Sequence, residues 1–153
     1  MKSKKNIVFL GMMGSGKTSI GSLISEKLGL DFFDIDQSIE KELDMKISEI
    51  FKIKGEDYFR KLEEKISLEI LKKENIVVAL GGGAFMNKNI RKEVLKNHIS
   101  LWLNWDSQTL LNRIKNSKNR PLAINATNIE LIDLIKKRSY FYSKALYEIR
   151  CDN

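Results

Sequence analysis

The sequence predicts an α/β domain in three layers, with a parallel sheet of five strands covered by helices on both faces. Short apolar runs alternate with stretches of helical spacing along the whole chain, the pattern of strand–helix–strand units. Glycines or carboxylates stand at the carboxyl ends of three of those runs, where ligands bind in sheets of this kind. A length of 153 residues fits one compact domain, 1–153.

The first strand is "NIVFL", Asn6 to Leu10, and "GMMGSGKTS" follows it. Lys17 to Leu28 has helical spacing, with Ile20, Leu23, Ile24 and Leu28 on one side. "DFFDID", Asp31 to Asp36, reads as a second strand ending in carboxylates. Ser38 to Leu43 and Ser48 to Lys54 read as short helices. Glu56 to Lys73 reads as a longer one, with Phe59, Leu62, Ile66 and Ile70 three and four apart. "NIVVAL", Asn75 to Leu80, is a third strand running into Gly81, Gly82 and Gly83. Lys88 to Lys96 is helical, "ISLWL" (Ile99 to Leu103) is a strand, and Ser107 to Ile114 is helical. Asn116 to Thr127 is polar, rich in asparagine and carries the only proline, Pro121, which suits a mobile loop. Asn128 to Leu146 returns to helix, and "YEIR" (Tyr147 to Arg150) supplies the fifth strand.

Composition narrows the class. Hydrophobic residues make up 42% of the chain, enough for one core without disulfides. The lone cysteine, Cys151, forms neither an internal disulfide nor a cysteine-based metal site, which suits a reducing, cytoplasmic compartment. No apolar run approaches the roughly 20 residues of a membrane span. The basic and then apolar N-terminus superficially resembles a signal peptide, but its apolar stretch is short and leads into the glycine loop. The net charge of +7 raises nucleic-acid binding as a class. The lysines, however, alternate with glutamates, as in "IEKELDMK" and "RKLEEKISLEILKKE", the pattern of a solvated face. The expectation is small-molecule partners, no nucleic acid and no membrane. His98 has no partner cluster and is assigned no chemistry, and Trp102 and Trp105 read as core and rim residues.

Gly11-Met-Met-Gly14-Ser15-Gly16-Lys17-Thr18 satisfies G-x-x-x-x-G-K-[ST] between a strand and a helix, the context this phosphate-binding signature requires. Its glycines let successive N–H groups converge on a phosphate, and the next helix adds its positive end. Lys17 is placed to reach the β- and γ-phosphates, and the Thr18 hydroxyl to hold Mg²⁺. A dinucleotide loop competes, since Gly14-Ser-Gly16 begins G-x-G-x-x-G and Asp36 lies about 20 residues on. Position 19 is Ser, however, and Lys17-Thr18 has no task in that motif.

Many such enzymes keep a Mg²⁺-supporting Asp at the end of a later strand. Here "IVVAL" ends in glycines, and "ISLWLNWD" reaches Asp106 only after Asn104 and Trp105. The strand-end acids are Asp34 and Asp36, which on a strand face the same way. One suits Mg²⁺ through water and the other an acceptor hydroxyl; a helix N-cap at Asp36 is the plain alternative. Gly81 to Gly83 read as a tight turn or as bare backbone that a substrate approaches. Arg60 and Arg138 read as solvated charges, and Arg120, beside Pro121, as a lid arginine closing on phosphate.

Together "GMMGSGKTSIG", "FFDIDQSIE", "ISEIFKIKGEDYFRKLEE", "GGGA", "RPL" and "KKRSYFY" resemble the shikimate kinase family, in the family's order and from about Ile7 to Arg150. The resemblance implies a nucleoside-monophosphate-kinase-like P-loop fold, with a shikimate-binding segment at about 34–62 and a lid at about 116–127. It implies transfer of phosphate from Mg·ATP to the 3-hydroxyl of shikimate, giving shikimate 3-phosphate and ADP on the chorismate route to aromatic amino acids, by a cytoplasmic monomer. By the same resemblance Gly14, Ser15, Gly16, Lys17, Thr18, Ser19, Arg113 and Arg120 contact ATP. Thr18 binds Mg²⁺ in place of the more usual serine, and Asp34 binds it through water. Asp36, Arg60, Gly82 and Arg138 bind shikimate, the two arginines gripping its carboxylate. Lys17, Asp36 and Arg120 are the implied catalytic residues. The sequence departs from the family at Ala79, where Ser or Thr is common, and it ends at "IRCDN", where members continue into a helix that contributes adenine contacts. Gluconate or nucleotide kinases are the nearest enzymatic rivals, and a nucleic-acid-binding NTPase is the rival from another class.

Overall fold

The computed structural model describes residues 4–117, 123 and 125–152. Its sheet has the order β2-β3-β1-β4-β5: β1 is Ile7–Leu10, β2 Asp31–Asp34, β3 Ile76–Ala79, β4 Ile99–Trp105 and β5 Tyr147–Cys151. Every pairing is parallel, with Val8 beside Val78 and Ser100. The chain adds β2 and β3 on one side of β1, then crosses to add β4 and β5 on the other. A crevice therefore opens past the carboxyl ends of the middle strands.

Seven α-helices connect the described strands: α1 (Lys17–Leu28), α2 (Ile35–Leu43), α3 (Ile47–Lys54), α4 (Glu56–Leu71), α5 (Lys88–Asn97), α6 (Ser107–Lys115) and α7 (Asn128–Tyr142), with one 3₁₀ turn at Ala84–Met86. The two-residue period of the strands divides the core. Val8, Leu10, Val78 and Trp102 face a large cluster with Phe59, Ile66, Ile90, Leu131 and Tyr142. Phe9, Val77 and Leu103 face the opposite layer, where Ile20 and Ile24 of α1 pack with Phe32.

Four expectations need correction. The second strand stops at Asp34, whose side chain accepts from the Gln37 N–H and starts α2. Asp36 is therefore in the first turn of a helix, and the N-cap is Asp34. Leu23 and Leu28 are exposed, because α1 turns Gly21 and Ser25 inward. A Cβ on Gly21 would lie 2.6 Å from the Phe32 ring, so the small residue permits the close approach. The fourth strand continues to Trp105 before Asp106 caps α6. The last helix ends at Tyr142, not Leu146, and the turn after it is held where the Leu146 N–H donates to Ser100 Oγ at 2.8 Å. Among the described residues no helix is long and apolar enough to cross a membrane.

Candidate active site

A cavity of about 540 Å³ opens at the carboxyl ends of β1, β2 and β3, lined by the phosphate loop, Asp34, Asp36, Arg60, Gly82 and Arg138. The loop comes from β1. Gly16 ends it with φ 90°, a left-handed conformation that a side chain would strain, and α1 starts directly behind. The Ser15 N–H donates to the Met12 carbonyl at 3.1 Å and closes the curl. Lys17 Nζ folds back over the loop, donating to the Gly11 carbonyl at 2.7 Å and to Met12 at 2.9 Å. An ammonium held there, at a helix N-terminus, suits a polyphosphate.

Thr18 Oγ1 donates to Asp34 Oδ2 at 2.5 Å. A hydroxyl and a carboxylate beside a phosphate loop fit Mg²⁺, which takes one or two protein oxygens and completes its shell with waters and phosphate oxygens. Among the described residues no group of three or more His, Cys, Asp or Glu side chains is arranged to hold a metal ion.

Asp36 projects from α2 towards the same cavity. Burial, and then the neighbouring Asp34 charge, push its pKa above the ordinary carboxylate value, against Lys17 and Arg60. From α4, Arg60 lies within 3.5 Å of Glu56 and donates to Glu63 Oε1 at 2.8 Å. Glu63 is 1% exposed; burial raises its pKa and Arg60 opposes the rise. Arg138 is 5% exposed, so the solvated-charge reading of "KKR" does not apply to it. It neighbours Tyr142, whose hydroxyl donates to the Gly82 carbonyl and whose pKa burial pushes up to about 12.

Close approach explains the triple glycine. A Cβ on Gly81 would lie 2.8 Å from Asp36 Oδ1 and 2.9 Å from Glu63 Oε2. One on Gly82 would lie 3.2 Å from Arg138 Nη1, and one on Gly83 2.6 Å from Arg60 Nη1. The turn after β3 is thus bare backbone against which four charged side chains are arranged.

The structure brings together Gly14, Gly16, Lys17, Thr18, Ser19, Asp34, Asp36, Arg60, Gly82 and Arg138 around this one cavity. Ser15 is buried in the loop, and Arg113 reaches its outer side, Nη1 donating to the Gly14 carbonyl at 3.1 Å. The expected lid arginine, Arg120, and Pro121 lie outside the described residues. Sequence reasoning gave Glu63 no role, although it stands three residues after Arg60 within the buried stripe of α4. A carboxylate on an apolar stripe was the available signal.

Fold and site define a P-loop phosphotransferase, with the phosphate loop of β1–α1 and side chains of α2, α4 and α7 lining one cavity. The family model for shikimate kinase matches residues 13–153. The shikimate kinase of Bartonella quintana is 43% identical over 143 residues, 93% of this chain and 68% of that protein. That of Bacillus subtilis is 41% identical over 156 aligned residues, 98% and 82% of the two chains. The shikimate kinase of Acinetobacter baumannii, solved in complex with shikimate, superimposes with a TM-score of 0.92 at 33% identity, covering 99% of this chain and 86% of that one. The chain belongs to the shikimate kinase family.

Proposed function

We propose that this chain transfers the γ-phosphoryl group of ATP to the 3-hydroxyl of shikimate, releasing shikimate 3-phosphate and ADP. One observation carries the reading: a phosphate loop with Lys17 and Thr18 shares a cavity with Asp36 and two arginines, Arg60 and Arg138. Two guanidiniums suit a carboxylate, because each fork can pair with both of its oxygens. Family membership supports shikimate over gluconate or a nucleoside as the acceptor that fits there.

In this reading Arg60 and Arg138 hold the shikimate carboxylate, and Gly82 contributes backbone beside them. Asp36 accepts a hydrogen bond from the reacting hydroxyl and takes its proton as the oxygen bonds to phosphorus. The bond from the γ-phosphorus to its bridging oxygen breaks, and the electrons leave on ADP. Lys17 and the loop N–H groups orient the phosphates. Thr18, with Asp34 through water, would hold Mg²⁺, which when bound neutralises phosphate charge. Arg120 belongs to the same reading as a lid residue over the nucleotide phosphates. The reaction is placed in the cytoplasm, carried out by a monomer on small molecules.

Calorimetric titration of Arg60→Ala tests the assignment. Shikimate affinity is expected to fall at least tenfold while ADP affinity stays within about twofold, the loss expected of a charge-assisted contact. Equal loss of both ligands would assign Arg60 to folding and overturn the acceptor site.

A further inference from the structure

We infer that Trp105 is a positioning residue for the nucleotide site, holding the phosphate loop and Arg113 in one brace from outside. A loop that turns its N–H groups inward must send carbonyls outward, and two of them are consecutive here. The Ser15 carbonyl accepts from Trp105 Nε1–H at 2.9 Å. The Gly14 carbonyl accepts from Arg113 Nη1–H at 3.1 Å. The two donors also pack on each other, with the Arg113 guanidinium carbon 3.9 Å from the Trp105 ring centroid, within cation–π range.

The brace has a rigid origin. Trp105 is the last residue of β4 and pairs with Cys151 of β5, while Arg113 stands on α6, capped at Asp106 immediately after Trp105. Trp105 also packs against the main core cluster. The loop, by contrast, is rich in glycine and conformationally costly to fix. Satisfying its carbonyls from an ordered strand end keeps the N–H groups aimed at the anion before it arrives, the condition for preorganised binding. Leu or Phe at position 105 would fill the core but leave the buried side of the Ser15 carbonyl without its donor.

The inference rests on the nucleotide half of the proposed function, and binding of ADP by the wild type tests that half separately. ADP and shikimate binding should be measured calorimetrically for wild type, Trp105→Phe and Trp105→Leu, with KM for ATP and melting temperature alongside. Trp105→Phe keeps an aromatic ring beside Arg113 and removes the N–H together with one ring of the indole. It is expected to weaken ADP binding about threefold to tenfold, the span of one neutral hydrogen bond, with shikimate binding unchanged. Trp105→Leu should weaken it further. In a Trp102→Phe background, where Trp105 is the sole tryptophan, emission should change on ADP addition. Unchanged ADP affinity in Trp105→Phe would overturn the inference, as would equal weakening of both ligands with a lowered melting temperature. Wild-type protein that binds no ADP would instead overturn the nucleotide assignment.

Discussion

Arg60 and Glu63, one turn apart on α4, form a 2.8 Å ion pair in which the carboxylate is buried and the guanidinium lines the cavity. Arg60 also touches Glu56 at 3.5 Å, so two carboxylates fix the fork before any ligand arrives. Glu63→Ala is expected to cost about 1–3 kcal/mol of stability, the loss of a hydrogen bond to a charged partner. It should also raise the shikimate KM several-fold, and Glu63→Gln, which keeps an acceptor, should recover part of both. Urea denaturation and steady-state kinetics measure these effects; an unchanged shikimate KM in Glu63→Ala would remove the positioning role.

Asp36 should trade stability against activity. Its pKa is raised above the ordinary 3.8, and that of Glu63 above 4.5. Between the ordinary and the raised values the folded protein binds more protons than the unfolded chain. Stability therefore falls as pH rises through that window and stays lower above it. Asp36→Asn is expected to melt a few degrees higher than wild type at pH 7, with the difference closing at and below about pH 3.8, the ordinary Asp value. Its kcat should drop by roughly 10²–10⁴, with ADP affinity retained. Thermal melts across pH and initial rates read the two halves.

Gly83→Ala should damage binding without damaging the fold. The new methyl would meet the Arg60 guanidinium at 2.6 Å, the far end of a flexible side chain, and Gly83 has an ordinary φ of −96°. The expected result is a melting temperature near wild type and a shikimate KM raised about tenfold or more, as for a lost contact between charged groups. The KM for ATP should be unchanged. A crystal structure of the variant would show Arg60 displaced.

Lys17→Met should separate the halves from the other side. ADP and ATP binding should weaken at least tenfold and turnover should be lost, because the ammonium over the loop is gone. Shikimate should still bind, since Lys17 is not among its proposed ligands. Calorimetry with each ligand alone decides this.

Local chemistry was legible in the sequence where one element decides it. Helix α1 runs from Lys17 to Leu28 as its spacing implies, because Gly16 and Gly29 bracket it. The glycine loop announced its phosphate-binding shape in the same way. "DFFDID" misled because its last four residues alternate apolar and acidic with a strand's period of two, while the capping bond that Asp34 accepts from the Gln37 N–H to start α2 needs the backbone to be seen. The burial of Arg138 was hidden by its setting, since "KKR" on a helix reads as solvated and only packing against Tyr142 and Gly82 encloses it. Glu63 was hidden for the same reason: its contact with Arg60 is local, but its approach to Asp36 runs past Gly81, from a different strand end. Strand order too is long-range, set by β1 pairing with β3 and β4.

The most direct measurement is ADP release with ATP and Mg²⁺, with and without shikimate, the product being identified by phosphorus NMR. The expected result is ADP formation that depends on shikimate, matched one for one by a phosphate ester at its 3-hydroxyl, with gluconate, nucleosides and nucleic acid giving none. ADP release that ignores shikimate, or that follows one of those other acceptors, would contradict the assignment.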